Sequence, residues 1–124
     1  MIEHFSLPVS DFEAAKEFYV AVLPVFGYEL KMDFPGAVGF FDTETGHTDF
    51  WIVRNPDAVN THVAFRAKDQ TMVQAFYDAA RKAGGRDNGE PGPRPEYSPD
   101  YYAAFVIDPV GNNIEAACFV EGQE

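Results

Sequence analysis

From residue 2 to 9 apolar and polar positions alternate. Phe5, Leu7 and Val9 fall on one side and His4 and Ser6 on the other, the period of a strand with one buried face. Pro8 places that strand near its end or at an edge. Ser10-Asp-Phe-Glu13 has the spacing of a capping box, so a helix is expected after Ser10. The apolar period then lengthens, and Phe12, Ala15, Phe18/Tyr19 and Val22/Leu23 form the stripe of an amphipathic helix that closes around Pro24 and Gly27. Strands follow at 28–33, 37–42 and 48–54, joined by turns at Pro35-Gly36 and Thr45-Gly46.

The pattern then starts again. Displaced by 58 positions, the 25 residues from Glu3 lie without a gap over those from Thr61, with six identities: His4/His62, Asp11/Asp69, Phe18/Phe76, Tyr19/Tyr77, Ala21/Ala79 and Gly27/Gly85. Further on, FFDTETGHTDFWIV resembles FVIDPVGNNIEAAC with a small shift, pairing Asp42 with Asp108 and Gly46 with Gly111. An internal duplication explains both matches. The second unit predicts a strand at 61–67 and a helix capped by Asp69, with Met72, Ala75/Phe76, Ala79/Ala80 and Ala83 inward, stopped at Gly84-Gly85. Residues 86–100 are rich in Pro and Gly and read as a long loop holding a short strand, with strands at 101–108 and 112–120 after it. The expected organisation is one α+β domain over 1–124. It comprises module 1–54 and module 61–120, each strand–helix–three strands, joined by the linker 55–60.

The charge narrows the partners. Nine Lys+Arg against 20 Asp+Glu give a net charge of −11, which repels nucleic acid and anionic membrane surfaces. No apolar run approaches the ~20 residues of a membrane span, and no signal peptide is visible at the N-terminus. A single cysteine, Cys118, excludes an intrachain disulfide and agrees with a reducing, cytoplasmic setting. Twelve Phe, six Tyr and one Trp exceed what a core this small needs, so some are expected to line a pocket for a small molecule.

His4 and His62 stand at equivalent places on the first strand of each unit, and each interrupts an apolar stretch. Two units related by a pseudo-twofold axis bring their first strands together, so the imidazoles can converge. Neutral imidazole suits Zn, Fe, Mn, Ni or Co, and a carboxylate completes such a site. Glu115 fits. It alternates with Ile114, Ala116 and Cys118, and a lone acid in so apolar a strand is costly without a cationic partner. By the shifted alignment its mate in the first unit is Phe50, with Asp49 one place off. Two His and one carboxylate leave coordination positions open for water or chelating oxygens. Cys118 lies out of phase with Glu115 and reads as a small buried hydrophobe. Trp51 reads as packing against a helix or another subunit.

Ile2-Glu-His-Phe-Ser-Leu with Ser10-Asp, Thr61-His-Val-Ala-Phe and Asp108-Pro-Val-Gly-Asn-Asn-Ile-Glu115, set in duplicated units, resemble the vicinal oxygen chelate superfamily. That superfamily includes glyoxalase I, bleomycin-resistance proteins, extradiol dioxygenases and fosfomycin-resistance transferases. The resemblance spans essentially the whole chain. It implies curved mixed sheets with helices on their outer faces, commonly in homodimers. It also implies a divalent metal held by His4, His62 and Glu115, with Glu115 taking part in catalysis. Glyoxalase I carries a fourth ligand at the place matching Phe50, so the triad here is more like the dioxygenase and fosfomycin branches. A hydroxyl two residues after the first His, here Ser6, points into the pocket of the latter. Substrate contacts are expected from Ser6, Phe50, Tyr101 and Phe105, and by the same parity from Ile52, Ala64 and Ala103. Arg66 and Arg94 are candidates to meet an anionic substrate, set against solvated or paired surface roles. The reading is a metal-dependent enzyme acting on a small oxygen-chelating substrate. The alternatives are a metal-free drug- or metabolite-binding protein and a fosfomycin-type thiol transferase.

Overall fold

The computed structural model of the chain describes residues 1–120. Its elements are β1 (Phe5–Val9), α1 (Phe12–Val22), β2 (Tyr28–Phe34), β3 (Ala37–Asp42), β4 (His47–Arg54), β5 (His62–Arg66), α2 (Gln70–Lys82), β6 (Arg86–Pro93), β7 (Tyr101–Ile107) and β8 (Asn113–Phe119). A 3₁₀ turn over Leu23–Phe26 extends α1. The strands form two four-stranded sheets, ordered β1-β4-β3-β2 and β5-β8-β7-β6. The second repeats the first at the level of topology. In each, the opening strand runs parallel to the last, and the remaining pairs are antiparallel.

Local chemistry fixes the helix ends. The Asp11 carboxylate accepts from the Ala14 N–H at 3.2 Å, and the Asp69 carboxylate accepts from the Met72 N–H at 2.9 Å. Both satisfy orphan donors of a first turn. The first cap is thus Asp11 and not Ser10, one residue later than the capping-box spacing predicts. Pro24 opens the 3₁₀ turn, where its missing N–H costs nothing, and Gly27 ends it at φ 90°.

One face of each sheet is covered by its own helix. Leu7, Val9, Val38, Phe40 and Ile52 lie under α1, and Ala104, Val106, Ile114 and Ala116 lie under α2. The two helices also pack on each other, so both halves share one core. Aromatic rings bridge the halves: Phe65 of β5 meets Phe26 at 5.1 Å and Phe50 at 5.1 Å between centroids. The other face of each sheet carries no helix. On the second sheet it holds a separate small cluster, Ala103, Phe105 and Ala117 with Tyr101.

A buried carboxylate ties the halves together. Asp108, 2% exposed in the β7–β8 turn, accepts from the N–H groups of Val110 at 3.0 Å and Asn112 at 2.8 Å. It also accepts from the Asn112 side-chain amide at 3.1 Å and from the hydroxyl of Tyr19 on α1. The turn of the second module is thereby fastened to the helix of the first.

One sequence expectation becomes definite and two change. Residues 86–93 form β6, an eight-residue edge strand, which is the remaining strand expected of the second module within the 86–100 stretch. Its pairing with β7 breaks register between Asp87 and Gly89 and again before Gly92, so it lacks a strand's regular alternation. β4 begins at His47, one residue before the expected start at 48. β1 begins at Phe5, which leaves His4 one residue outside it.

Candidate functional site

Glu115 is the chemical centre of the uncovered face of the second sheet. In the pairing of β8 with its neighbours it stands opposite Ala64 on β5 and Phe105 on β7. It is only 3% exposed, with Ala103, Phe105 and Ala117 around it on the same face. A carboxylate so placed needs partners, and it has two. His62 Nε2 lies 2.8 Å from Oε1, and the Tyr101 hydroxyl donates to Oε2 at 2.5 Å. The His62 ring sits 6.3 Å from that of Phe105. Tyr101 is held edge-on between Tyr97 at 5.2 Å and Phe119 at 5.3 Å.

Burial, then the hydrogen bond and charge of Glu115, push the Tyr101 hydroxyl far above the usual phenol range; nearby Arg66 partly offsets this. Tyr101 therefore stays a donor. Tyr19 and Tyr28 are raised as well, chiefly by burial and then by Asp108 and Asp49 respectively. The stability tied to a raised phenol is fully present below its unfolded pKa and is lost as pH rises toward the folded value. Stability should therefore fall as pH climbs past about 10, as the unfolded chain loses protons that the native state keeps. Urea midpoints across pH 8–11.5 test this, and the fall should shrink in Tyr19→Phe/Tyr28→Phe/Tyr101→Phe.

Arg94 also reaches the uncovered face. It lies over the Phe105 ring at 5.4 Å, with its guanidinium donating to the carbonyls of Glu90 (2.8 Å), Gly92 (2.9 Å) and Pro93 (3.3 Å). A side chain at Gly89 would strike Arg94 and Phe105, each 3.0 Å from where its Cβ would stand, and its φ of 149° also excludes most residues. Arg66 lies over Phe119 at 5.4 Å.

The first sheet presents a different half-site. Its uncovered face carries Ser6, which is exposed, and Trp51, which is half-buried and opposite Ser6 in the β1/β4 register. His4 precedes them with a side chain 53% exposed, its Nδ1 2.5 Å from Glu3 Oε1. His62, Glu115, Tyr101 and Phe105 thus come together on one face. Ser6 belongs to the other sheet, and His4 just precedes that sheet's opening strand. Among the described residues, no group of three or more His, Cys, Asp or Glu side chains is arranged to hold a metal ion within one chain.

The register corrects the expected symmetry mate of Glu115. Ala64, two residues after His62, pairs with Glu115; Ser6, two residues after His4, pairs with Trp51. The mate is Trp51 and not Phe50. The cause is an irregularity in β4: Phe40 pairs with Phe50 but Phe41 with Thr48, which leaves Asp49 as an extra residue. Phe50 and Ile52 consequently point into the helix-covered core, at 3% and 0% exposure, where Phe50 meets Phe5, Tyr19, Phe40 and Phe65. Cys118 is buried on the opposite face from Glu115, its thiol pushed up by burial, which makes it a poor nucleophile.

A cavity of about 410 Å³ opens where the start of the first sheet meets β5, bordered by Glu3, Phe5, Tyr28, Asp49, Phe50 and His62. Phe50 therefore edges a cavity, though from the core side. The Tyr28 hydroxyl donates to Asp49 at 2.7 Å on its wall. Periodicity could not have found Tyr28 and Asp49, because the extra residue in β4 hides which way Asp49 faces.

None of the curated proteins compared with the chain matches it. Solved structures do. A glyoxalase/bleomycin resistance protein from Albidiferax ferrireducens T118 superposes with a TM-score of 0.78 at 25% identity, covering 94% of this chain and 96% of that one. A glyoxalase/bleomycin resistance protein/dioxygenase from Nocardioides gives 0.69 at 21% identity, over 100% of this chain and 86% of that one. A glyoxalase-related enzyme from Fulvimarina pelagi gives 0.73 at 19%, over 95% and 87%. The latter two speak for the fold alone. The family model of the Glyoxalase/Bleomycin resistance protein/Dioxygenase superfamily matches residues 1–116, and with its two repeated modules the chain belongs to that superfamily.

Proposed function

We propose that the protein is a metal-dependent enzyme of the glyoxalase/dioxygenase type, acting on a small substrate with chelating oxygens. In this reading the site is built across a homodimer: His62 and Glu115 come from one chain and His4 from the other. The observation that carries it is the pairing of His62 with a nearly fully buried Glu115, 2.8 Å apart, on a sheet face that no helix covers. The donor set fits. Imidazole and carboxylate are borderline and hard ligands suited to Zn, Fe, Mn, Ni or Co, and a third donor of the same kind is available at His4. The divalent ion supplies Lewis acidity toward a chelated oxygen.

The chain's own groups do the rest. Tyr101 donates to Glu115 Oε2, which orients the carboxylate and leaves Oε1 toward His62. Phe105, Ala103 and Ala117 keep water from the carboxylate. A cytoplasmic location belongs to the same reading; the structural fact beneath it is that no helix among the described residues is long and apolar enough to cross a membrane. A second reading, a metal-free binding protein, is favoured by the fact that both oxygens of Glu115 are already hydrogen-bonded within one chain.

Cobalt titration tests the first reading. Trp51 is the sole tryptophan, on the strand beside Ser6. Co²⁺ bound at a site shared by His4, His62 and Glu115 should quench its fluorescence with a stoichiometry of about one ion per chain. EDTA should reverse the quenching. If no Co²⁺ binds and a small molecule binds equally well with and without EDTA, the metal-free reading stands instead.

A further inference from the structure

Trp51 has no part in the metal reading, yet it stands where the pseudo-symmetry puts the counterpart of Glu115. We infer that Trp51 is the platform on which a planar ring of the substrate stacks. It would be the residue that makes the site select flat, unsaturated molecules over saturated ones of equal size. This inference rests on the metal-site reading above.

Two observations point to it. The first is the fit between Trp51 and Gly39, which face each other across β3 and β4. A Cβ at Gly39 would lie 2.9 Å from Trp51 Cζ2, 3.0 Å from its Cε2 and 2.9 Å from Thr48 Cγ2. The indole therefore rests on bare backbone, and any side chain at 39 would lift it from the sheet. Glycine in a strand interior costs stability, and here it gives a large ring close approach. The second is exposure. Trp51 is half-buried on the uncovered face, with Gly39 beneath it, whereas its strand neighbour Phe50 and Phe40 of β3 turn into the main core. An indole fixed from below and reachable from above offers a π face, and planar rings stack on such a face with a preference beyond simple area burial.

The register then divides the labour. The same place on the strand next to the opening one carries an ionisable carboxylate in the second sheet and an apolar plane in the first. When the two half-sites face one another, oxygens of the substrate belong at Glu115 and His62, and its ring belongs at Trp51.

Hydroxamates separate these parts, because acetohydroxamate, cyclohexanecarbohydroxamate and benzohydroxamate present the same two oxygens and differ only in what is attached. Each would be titrated into the Co²⁺-loaded protein, following the cobalt absorption bands. Benzohydroxamate should bind roughly fivefold to tenfold tighter than the cyclohexane analogue. The ratio should fall to about one in Trp51→Leu and be partly restored in Trp51→Phe, with Co²⁺ affinity and the dimer unchanged in both. Gly39→Ala should also lower the ratio, by displacing the indole.

Equal binding of the ring and cyclohexane probes to the wild type overturns the inference, as does a ratio that Trp51→Leu leaves intact. Dissociation of the dimer in Trp51→Leu overturns it too, since the indole would then be packing between copies. These outcomes leave the metal reading standing. Failure of the wild type to take up Co²⁺ removes that reading and this inference with it.

Discussion

An equimolar mixture of His4→Ala and Glu115→Gln chains, unfolded together and refolded, should recover about a quarter of the wild-type metal sites, although each variant alone recovers none. The expectation follows from where one chain places its donors. His62 and Glu115 lie together on the uncovered face of the second sheet, whereas His4 stands at the start of the first. No metal-holding group forms among the described residues of a single chain. If two copies unite these half-sites around a twofold axis, a mixed dimer has one site lacking both mutated groups and one site lacking neither. Random pairing makes half of all dimers mixed, with one of two sites intact in each, hence about one quarter. Equilibrium dialysis against Co²⁺ measures it. No recovery, with mixed dimers demonstrated by mass spectrometry, would show that the three side chains never meet across chains. Glu115→Gln is the right partner variant, since the amide keeps the shape of a side chain that is nearly fully buried.

The second large effect concerns stability. Asp108→Ala should lower unfolding free energy by about 3–5 kcal/mol and the melting temperature by roughly 10–15 °C. Removing the carboxylate strips an acceptor from two backbone N–H groups, one side-chain amide and the buried hydroxyl of Tyr19. Each buried donor left unpaired costs about 1–3 kcal/mol. Asp108→Asn keeps one acceptor oxygen and should lose about half as much. Tyr19→Phe removes the orphaned hydroxyl along with its bond, so combining it with Asp108→Ala should cost less than the sum of the two. Urea denaturation of the four variants beside the wild type decides this. An unchanged midpoint in Asp108→Ala would mean that the turn does not fasten the second module to α1.

Much of this architecture is legible in the chain because the duplication writes it twice. Alternation at Phe5, Leu7 and Val9, the helical stripe from Phe12 to Val22 and the Asp69 cap each reflect one local rule, and the topology repeats with them. The pairing of His62 with Glu115 follows from parity on regular neighbouring strands. Legibility stops where pairing is irregular. Asp49 adds a residue to β4, which reverses the facing of everything beyond it and moves the mate of Glu115 from Phe50 to Trp51. The bounds of β6 escape notice because Gly89, Pro91, Gly92 and Pro93 are poor strand formers, held there by pairing with β7. How His4 meets the other two groups is hidden for another reason. Each module's pattern specifies its own sheet, but which sheets face each other depends on how α1 packs on α2, a contact between halves that no local periodicity records.

The contrast between Trp51 and Glu115 bears on how such a protein can change. Were the two modules separate identical molecules meeting in pairs, any substitution at that strand position would appear on both sides of the assembly at once. Joining them in a single chain lifts that constraint. One copy is free to carry an acid while the other carries an indole, so the two faces can diverge by point substitution, each without altering the other.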